Sequence, residues 1–178
     1  NITVTGNGQG RIRGIKCDLA SSPTITNCKI AAAYTGITSV FFSRPVISNV
    51  DLAGCTEGIT VDSNGNGTLK GCIINGTAVG ARLLDGSWLN IIDTNFTNNT
   101  LDLRLDAAST AWLLNSKVTQ AKVKFDDDLS AVIVNWYLQL KIMWKNKDGV
   151  SSGKTIPGAE VVMTDSSGVE FLRTVATP

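Results

Sequence analysis

The sequence predicts an all-β protein: a solenoid of parallel strands, about six coils of 22 residues each, followed by antiparallel strands. Three observations predict it. The phrase Gly36-Ile37-Thr38 returns as Gly58-Ile59-Thr60, 22 residues later. Several columns keep their character at that same step: Ile15, Ile37, Ile59, Ala81, Leu103, Phe125; Ile25, Ile47, Leu69, Ile91, Leu113; Ile30, Leu52, Ile74, Phe96, Val118; and Asn27, Asn49, Gly71, Asp93, Asn115. Within each repeat the apolar residues alternate in short runs, as in "TITNCKI" and "GITVDS", with glycine and asparagine between them. That is the period of strand and turn, not of helix.

The elements follow in order. Residue 1 is already in strand phase, and Thr3 and Val4 are expected one coil before Ile25, with no capping helix ahead of them. Each later coil is expected to stack on the last at ~4.8 Å, its backbone groups bonding to the coils on either side. The columns of Ile15, Ile25 and Ile30 then fill the interior. A glycine column, Gly14, Gly36, Gly58 and Gly80, is expected to mark a turn of positive φ. The 22-residue spacing is expected to hold from the first coil to the fifth, leaving no room for a long loop.

Four cysteines fall in this frame. Cys17 shares a column with Ser39, Val61, Leu83 and Leu105. Cys28 and Cys72 share one with Val50. They stand two coils apart, about 9.6 Å, too far for a disulfide. Buried free thiols acting as small hydrophobes are expected; a Cys55–Cys72 bridge between neighbouring coils is the disulfide candidate. The period fades after Phe125, where Asp127 falls in an interior column. The solenoid is therefore assigned to residues 1–134.

Residues 135–178 read differently. Trp136, Leu138, Leu140, Ile142 and Trp144 alternate with polar or mixed residues, which predicts one long strand with a buried face. Glu160–Thr164 and the turn Asp165–Gly168 predict a hairpin.

The phrases "ITNCKI…GITSV", "ISNVDL…GITV" and "LKGCII…GARLL" resemble the repeat of right-handed parallel β-helix proteins. That family includes pectate lyases, polygalacturonases, phage tailspikes and many bacterial and archaeal surface proteins. The resemblance covers residues 1–134 and implies a right-handed coil; for function it is weak, because one coil serves enzymes, adhesins and scaffolds. Residues 135–178 resemble the opening strands of an Ig-like, carboxypeptidase-regulatory-like β-sandwich. Such a sandwich needs about 100 residues. This one is incomplete, so its other strands are expected from beyond residue 178 or from another chain.

Composition narrows the chemistry. Net charge is +1, which gives no electrostatic case for nucleic acid or an anionic membrane. No apolar run approaches the ~18 residues of a membrane helix. The chain has no histidine, so no His base, Ser-His-Asp triad or His metal ligand can be built. No cysteine pair has zinc spacing, and no cofactor is expected. An enzyme of the resembled family walls its groove with long turn insertions, which the regular spacing excludes. The nearest thing to a lyase site is the outward charged set Arg82, Arg104, Asp106, Asp126 and Asp128. Its plainer reading is a solvated face of ion pairs one coil apart, Arg104–Asp126 and Asp102–Lys124.

Further candidates remain. Asp126, Asp127 and Asp128 form an acidic run that is a candidate calcium site. Trp88 and Trp112 are predicted outward in adjacent coils, beside Arg44 and Asn66. They form either a platform for a sugar or a face covered by the C-terminal strands or a neighbouring subunit. N-x-Ser/Thr sequons occur at Asn1, Asn66, Asn75, Asn95 and Asn98, with Asn95 expected outward. A solenoid end carries unpaired N–H and C=O groups, which promote edge pairing. The expectation is therefore a secreted or cell-surface, non-enzymatic structural protein that self-associates head to tail into a filament, sheath or layer. The alternative is a glycan-binding adhesin, and a polysaccharide lyase or hydrolase stands last.

Overall fold

The structure, a computed structural model, describes residues 2–6 and 12–136, together with the backbone of four later strands. The chain divides into two compact units, Asn1–Tyr137 and Leu138–Pro178.

The first unit is a right-handed parallel β-solenoid of about six turns. Sheet A contains Ile2–Thr5, Cys28–Ala31, Asp51–Ala53, Ile73–Asn75 and Asn95–Thr97. Sheet B contains Arg13–Cys17, Thr35–Ser39, Glu57–Val61, Val79–Leu83, Leu101–Leu105 and Val123–Phe125. Sheet C contains Thr24–Thr26, Val46–Ser48, Asn66–Lys70, Trp88–Ile92, Thr110–Leu114 and Ala131–Asn135. Every pairing within these sheets is parallel, and in the middle coils like residues lie side by side: Ile37 beside Ile59, Ile59 beside Ala81, Ile47 beside Leu69. The core is those columns. Ile37, Ile47, Leu52, Ile59, Leu69, Ile74, Leu89, Ile91 and Leu103 are fully buried, each burial stabilising by about 2 kcal/mol relative to exposure.

Three turns per coil cross the left-handed region. The asparagine column lies between sheets C and A: Asn27, Asn49, Gly71, Asp93 and Asn115 all have φ between 48° and 61°. Its side chains also bond along the stack, Asn115 Nδ2 donating to Asp93 Oδ1 at 2.6 Å. Ala32, Gly54, Gly76 and Asn98 do the same between sheets A and B, and residue pairs such as Ser63-Asn64 and Asp85-Gly86 between B and C.

The expected glycine turn is corrected here. Gly14, Gly36, Gly58 and Gly80 are strand residues of sheet B and none has positive φ. What requires glycine is close approach. A Cβ on Gly58 would stand 2.5 Å from the Gly80 carbonyl oxygen and 2.9 Å from Ile74 Cγ2.

The strict period also fails at both ends. Val4 pairs with Ile30, not in the phase of Ile25, so the first coil of sheet A is four residues longer than the rest. At the other end Leu103 pairs with Val123 and Leu105 with Phe125, a coil two residues short; Thr110 pairs with Ala131, one short. Phe125 keeps its inward phase beside Leu105 but, on the last strand of sheet B, is exposed.

The Asp102–Lys124 ion pair does not form. Asp102 takes the place of the glycine column and is 1% exposed, accepting from Asn99 Nδ2 at 3.2 Å and from the Thr119 N–H at 2.9 Å. That second bond holds the chain just before the 3₁₀ turn Gln120–Lys122.

In the second unit, Met143–Lys145 pairs antiparallel with Ser151–Thr155. Glu160–Thr164 pairs antiparallel with Glu170–Val175, the predicted hairpin; its turn, and the stretch 137–142 of the predicted long strand, lie outside the described residues. No helix among the described residues is long and apolar enough to cross a membrane.

Candidate functional site

The outer face of sheet B carries an unusual site. An outward residue on a solenoid sheet normally meets solvent. Yet every residue of Thr35–Ser39 and of Glu57–Val61 is buried, on both faces. The register explains which groups meet. One outward column runs Lys16, Thr38, Thr60, Arg82, Arg104; the next runs Arg13, Thr35, Glu57, Val79. Arg82 reaches back one coil, its Nη1 donating to Glu57 Oε1 at 2.7 Å. Glu57 Oε2 accepts from Thr60 Oγ1 at 2.5 Å and from Thr35 Oγ1 at 3.5 Å. The Glu57 carboxylate hydrogen-bonded to it pushes the Arg82 guanidinium above its ordinary pKa.

Around this pair is a groove of about 300 Å³, with Arg13, Tyr34, Val40, Asp62 and Leu84 completing its lining. Asp62 is committed to its own turn, accepting from the Ser63 N–H at 2.6 Å. Two buried polar atoms of the lining residues, Thr38 Oγ1 and Arg82 Nε, have no hydrogen-bond partner among the described residues. Sequence reasoning singled out Arg82 but missed Glu57, because the Glu57 column repeats no chemistry. Spacing carried the signal: Arg82 follows Glu57 by one coil plus three residues, which places the two on adjacent rungs and adjacent outward columns.

Sheet C bears the tryptophans on its outer face. Trp88 is 43% exposed and Trp112 45%. Trp88 pairs with Thr110 and Asn90 with Trp112, so the two rings stand on adjacent coils, offset by two residues. Asn66 pairs with Trp88, and exposed Arg44 stands one repeat earlier. Ile92 and Leu114, also outward, extend an apolar surface past Trp112 toward Asn135, around a shallow hollow of about 330 Å³. The predicted set Trp88, Trp112, Arg44 and Asn66 thus lies on one face.

The other candidates disperse. Asp126 is shared between Lys124 and Arg104, at 2.7 and 2.5 Å, which holds its carboxyl below the usual range. Asp127 is likewise lowered, by the Ser130 hydroxyl and by the Leu129 and Ser130 N–H groups, and caps a turn. Asp128 joins neither. Among the described residues no group of three acidic, cysteine or histidine side chains gathers at a metal-sized site; Asp126 is engaged in pairing and Asp127 in capping. Arg104 joins Asp126, but Arg82 belongs to the groove and Asp106 caps Ala107.

Cys55 and Cys72 are not bridged; all four cysteines are free. Cys55 lies at the corner between sheets A and B and Cys72 at the corner between C and A, so adjacent coils do not bring them together. Burial raises the pKa of Cys17, Cys55 and Cys72, which keeps them as thiols. Of the sequons, Asn95 and Asn98 are exposed and Asn66 and Asn75 half-buried. Asn75 Oδ1 is held by Thr97 Oγ1 and Asn98 Nδ2, each at 3.0 Å. Asn1 lies outside the described residues.

Against protein families, residues 1–124 match the model described as "Right handed beta helix region". The chain belongs to the right-handed β-helix family. No curated protein and no solved structure matches it. Membership in the β-helix family accounts for the stacked columns and the three-turn coil; the sheet B groove and the sheet C tryptophans are features of this chain's own surface.

Proposed function

We propose that this protein is a non-enzymatic extracellular structural module, a β-helical rod that associates head to tail into a surface filament, sheath or layer. One observation carries the reading. The outermost strands of sheets B and C, Arg13–Cys17 and Thr24–Thr26 at one end and Val123–Phe125 and Ala131–Asn135 at the other, pair with a described strand on one side only. Unpaired strand edges are templates for a further strand, and two different ends meeting generate an open fibre, not a closed ring. The groove's carboxylates support a structural reading too, since Glu57 and Asp62 are bound to their own neighbours. Ig-like strands within residues 135–178 would serve as a second joining element.

Sedimentation velocity over a hundredfold concentration range, with negative-stain imaging, tests this. Rods lengthening with concentration, in steps of roughly 29 Å for six coils, are expected. A monomer throughout overturns the proposal.

The tryptophan face favours a second reading, an adhesin that stacks a surface glycan on Trp88 and Trp112. An aromatic platform with polar neighbours suits the apolar faces of sugar rings. A glycan array comparing wild type with Trp88→Ala/Trp112→Ala tests it: binding lost in the double variant supports it, and identical profiles remove it.

A further inference from the structure

Asn99 stands between two charged groups that do not meet. On one side is Asp102, 1% exposed, whose Oδ1 accepts from Asn99 Nδ2 at 3.2 Å and whose Oδ2 accepts from the Thr119 N–H at 2.9 Å. On the other is Lys122, whose Nζ donates to the Asn99 backbone carbonyl at 2.7 Å. Among the described residues neither Asp102 nor Lys122 forms an ion pair. Taking a carboxylate out of water is costly, and buried charges are ordinarily paired. Here the cation stops one side chain short.

The side chain in between is arranged as an electrophile. Asn99 is 3% exposed, so water is kept from it. Its Oδ1 accepts two hydrogen bonds, from the Thr77 N–H at 3.0 Å and from Thr77 Oγ1 at 2.9 Å. Donors aimed at one carbonyl oxygen stabilise the oxyanion of acyl transfer. Its Nδ2 rests on the Asp102 carboxylate, which can carry a proton to it. A lysine amine is a nucleophile for such a carbon. Within Asn99, Cγ lies about 3–4 Å from the backbone carbonyl carbon whose oxygen Lys122 holds, and the flexible lysine stem covers that shift.

We infer that Lys122 and Asn99 join in an internal amide cross-link. Lys122 Nζ, as the free amine, attacks Asn99 Cγ. The Nζ–Cγ bond forms, and the carbonyl electron pair moves onto Oδ1 under the Thr77 donors. Asp102 takes the proton released by Nζ and delivers one to Nδ2. The carbonyl then re-forms, the Cγ–Nδ2 bond breaks and ammonia leaves. Nothing is oxidised or reduced, and no co-reactant is consumed. Each chain reacts once, so a small free-amine fraction suffices. The product turns the lysine ammonium into a neutral amide, whose N–H takes the place of Nδ2 facing Asp102. It bonds two coils covalently across 23 residues, beside the strand where the step shortens. The cross-link lies within one chain and does not depend on assembly.

The intact mass of the whole folded chain, read under denaturing conditions, tests this. Wild type is expected about 17 Da below its sequence mass, the weight of one ammonia. Lys122→Arg keeps the charge and a donor for the Asn99 carbonyl but has no amine to react, and is expected at its full sequence mass. A succinimide at Asn64-Gly65 or Asn75-Gly76 would lose the same ammonia, so position decides. Trypsin digestion of wild type is expected to release one joined peptide carrying both Asn99 and Lys122, with cleavage after Lys122 blocked. Wild type at full mass, a deficit that persists in Lys122→Arg, or a deficit that maps to an Asn-Gly step would each overturn the inference.

Discussion

The middle coils and the last coil solve the same problem in opposite ways. From Thr35 to Leu105 the 22-residue step is kept, and two interior columns stay apolar: Ile37, Ile59, Ala81 and Leu103 in one, Ile47, Leu69, Ile91 and Leu113 in another. Toward the later coils two corners of the interior and the glycine column turn polar while the step is still 22, and beyond Leu105 the step shrinks to 20 or 21. Gly80 gives way to Asp102, Cys55 to Thr77 and Asn99, Cys72 to Thr94 and Ser116. They form two sets, Thr94 with Ser116 and Thr77 with Asn99 and Asp102. Asn99 Oδ1 accepts from Thr77 N–H and Oγ1 at 3.0 and 2.9 Å, its Nδ2 donates to the Ile74 carbonyl at 3.1 Å and to Asp102, and Lys122 Nζ donates to its backbone oxygen at 2.7 Å. The lesson is that the apolar coils are held by shape, whereas the coils that lead into the shortened step are held by named hydrogen bonds. Perturbing one region should therefore feel different from perturbing the other.

The largest effect is expected at the polar end. Asn99→Ala strands the Thr77 donors, the Ile74 carbonyl and one oxygen of buried Asp102 at once. At about 1–3 kcal/mol per stranded group, partly recovered by water, a loss of about 4 kcal/mol in urea unfolding is expected. Asn99→Asp, which keeps the acceptor and adds a charge beside Asp102, should do no better. If Asn99→Ala costs under 1 kcal/mol, the contrast between the two regions is false.

Gly58→Ala tests the shape-held region. It adds one methyl group and no polarity. The Cβ meets backbone, the Gly80 carbonyl oxygen at 2.5 Å, which cannot swing away. Overpacking of this sort costs about 3 kcal/mol, with the unfolding slope unchanged. Gly54→Ala is the control, because nothing lies within 4 Å of its Cβ; its φ of +60° leaves only backbone strain, about 1 kcal/mol.

How much of this contrast was legible in the sequence follows from strand geometry. Interior columns were legible because like residues recur at a fixed step, and Ile37, Ile59 and Ala81 do lie side by side. The changed steps at the two ends were not. Side chains alternate with period two, so a shift of two or four residues leaves every inward residue inward. Val4 points inward in either phase, and Val123 can replace Phe125 beneath Leu103 without breaking the pattern. Only bond partners reveal those two slips, whereas the one-residue step from Thr110 to Ala131 does exchange the faces. Repeated glycine was misleading for a related reason: it marks positive φ or close approach, and the letter does not say which. Asn27 and Asn49 hold the positive φ here, while Gly36 and Gly58 hold the close contact. Trp88 and Trp112 were placed correctly, since outward phase alone locates them. The groove was out of reach, because a buried outward face depends on what lies over it.

Acid titration should separate the regions next. Asp126 and Asp127, both at the last coil, have carboxyl groups held below the usual range. A lowered pKa in the fold means that the stabilisation is fully present above the unfolded value, near pH 4, and is lost as pH falls through the folded value. Hydrogen exchange at pH 3 against pH 6 should therefore show the amides of Val123–Phe125 losing protection before those of Glu57–Val61.

The smallest expected effect has the opposite sign and lies at a corner of the middle coils. Asp62 and Asp85 follow one another at the turn between sheets B and C, where the Asn64 N–H donates to the Asp85 carbonyl oxygen at 3.0 Å. The charge of Asp62 raises the Asp85 pKa. For an acid raised in the fold, the folded state binds its proton more readily than the unfolded chain does. The repulsion is thus absent at low pH and weakens the fold as pH rises through the carboxylate range. Asp85→Asn should raise the melting temperature slightly at pH 7, with the gain fading below pH 4 and shrinking in high salt, because both groups are solvent-screened. Stacking like residues in register is what makes the core, and at this corner the same stacking sets two like charges together. A gain that persisted at pH 3 would point to the backbone of the Asp85-Gly86 turn, not to charge.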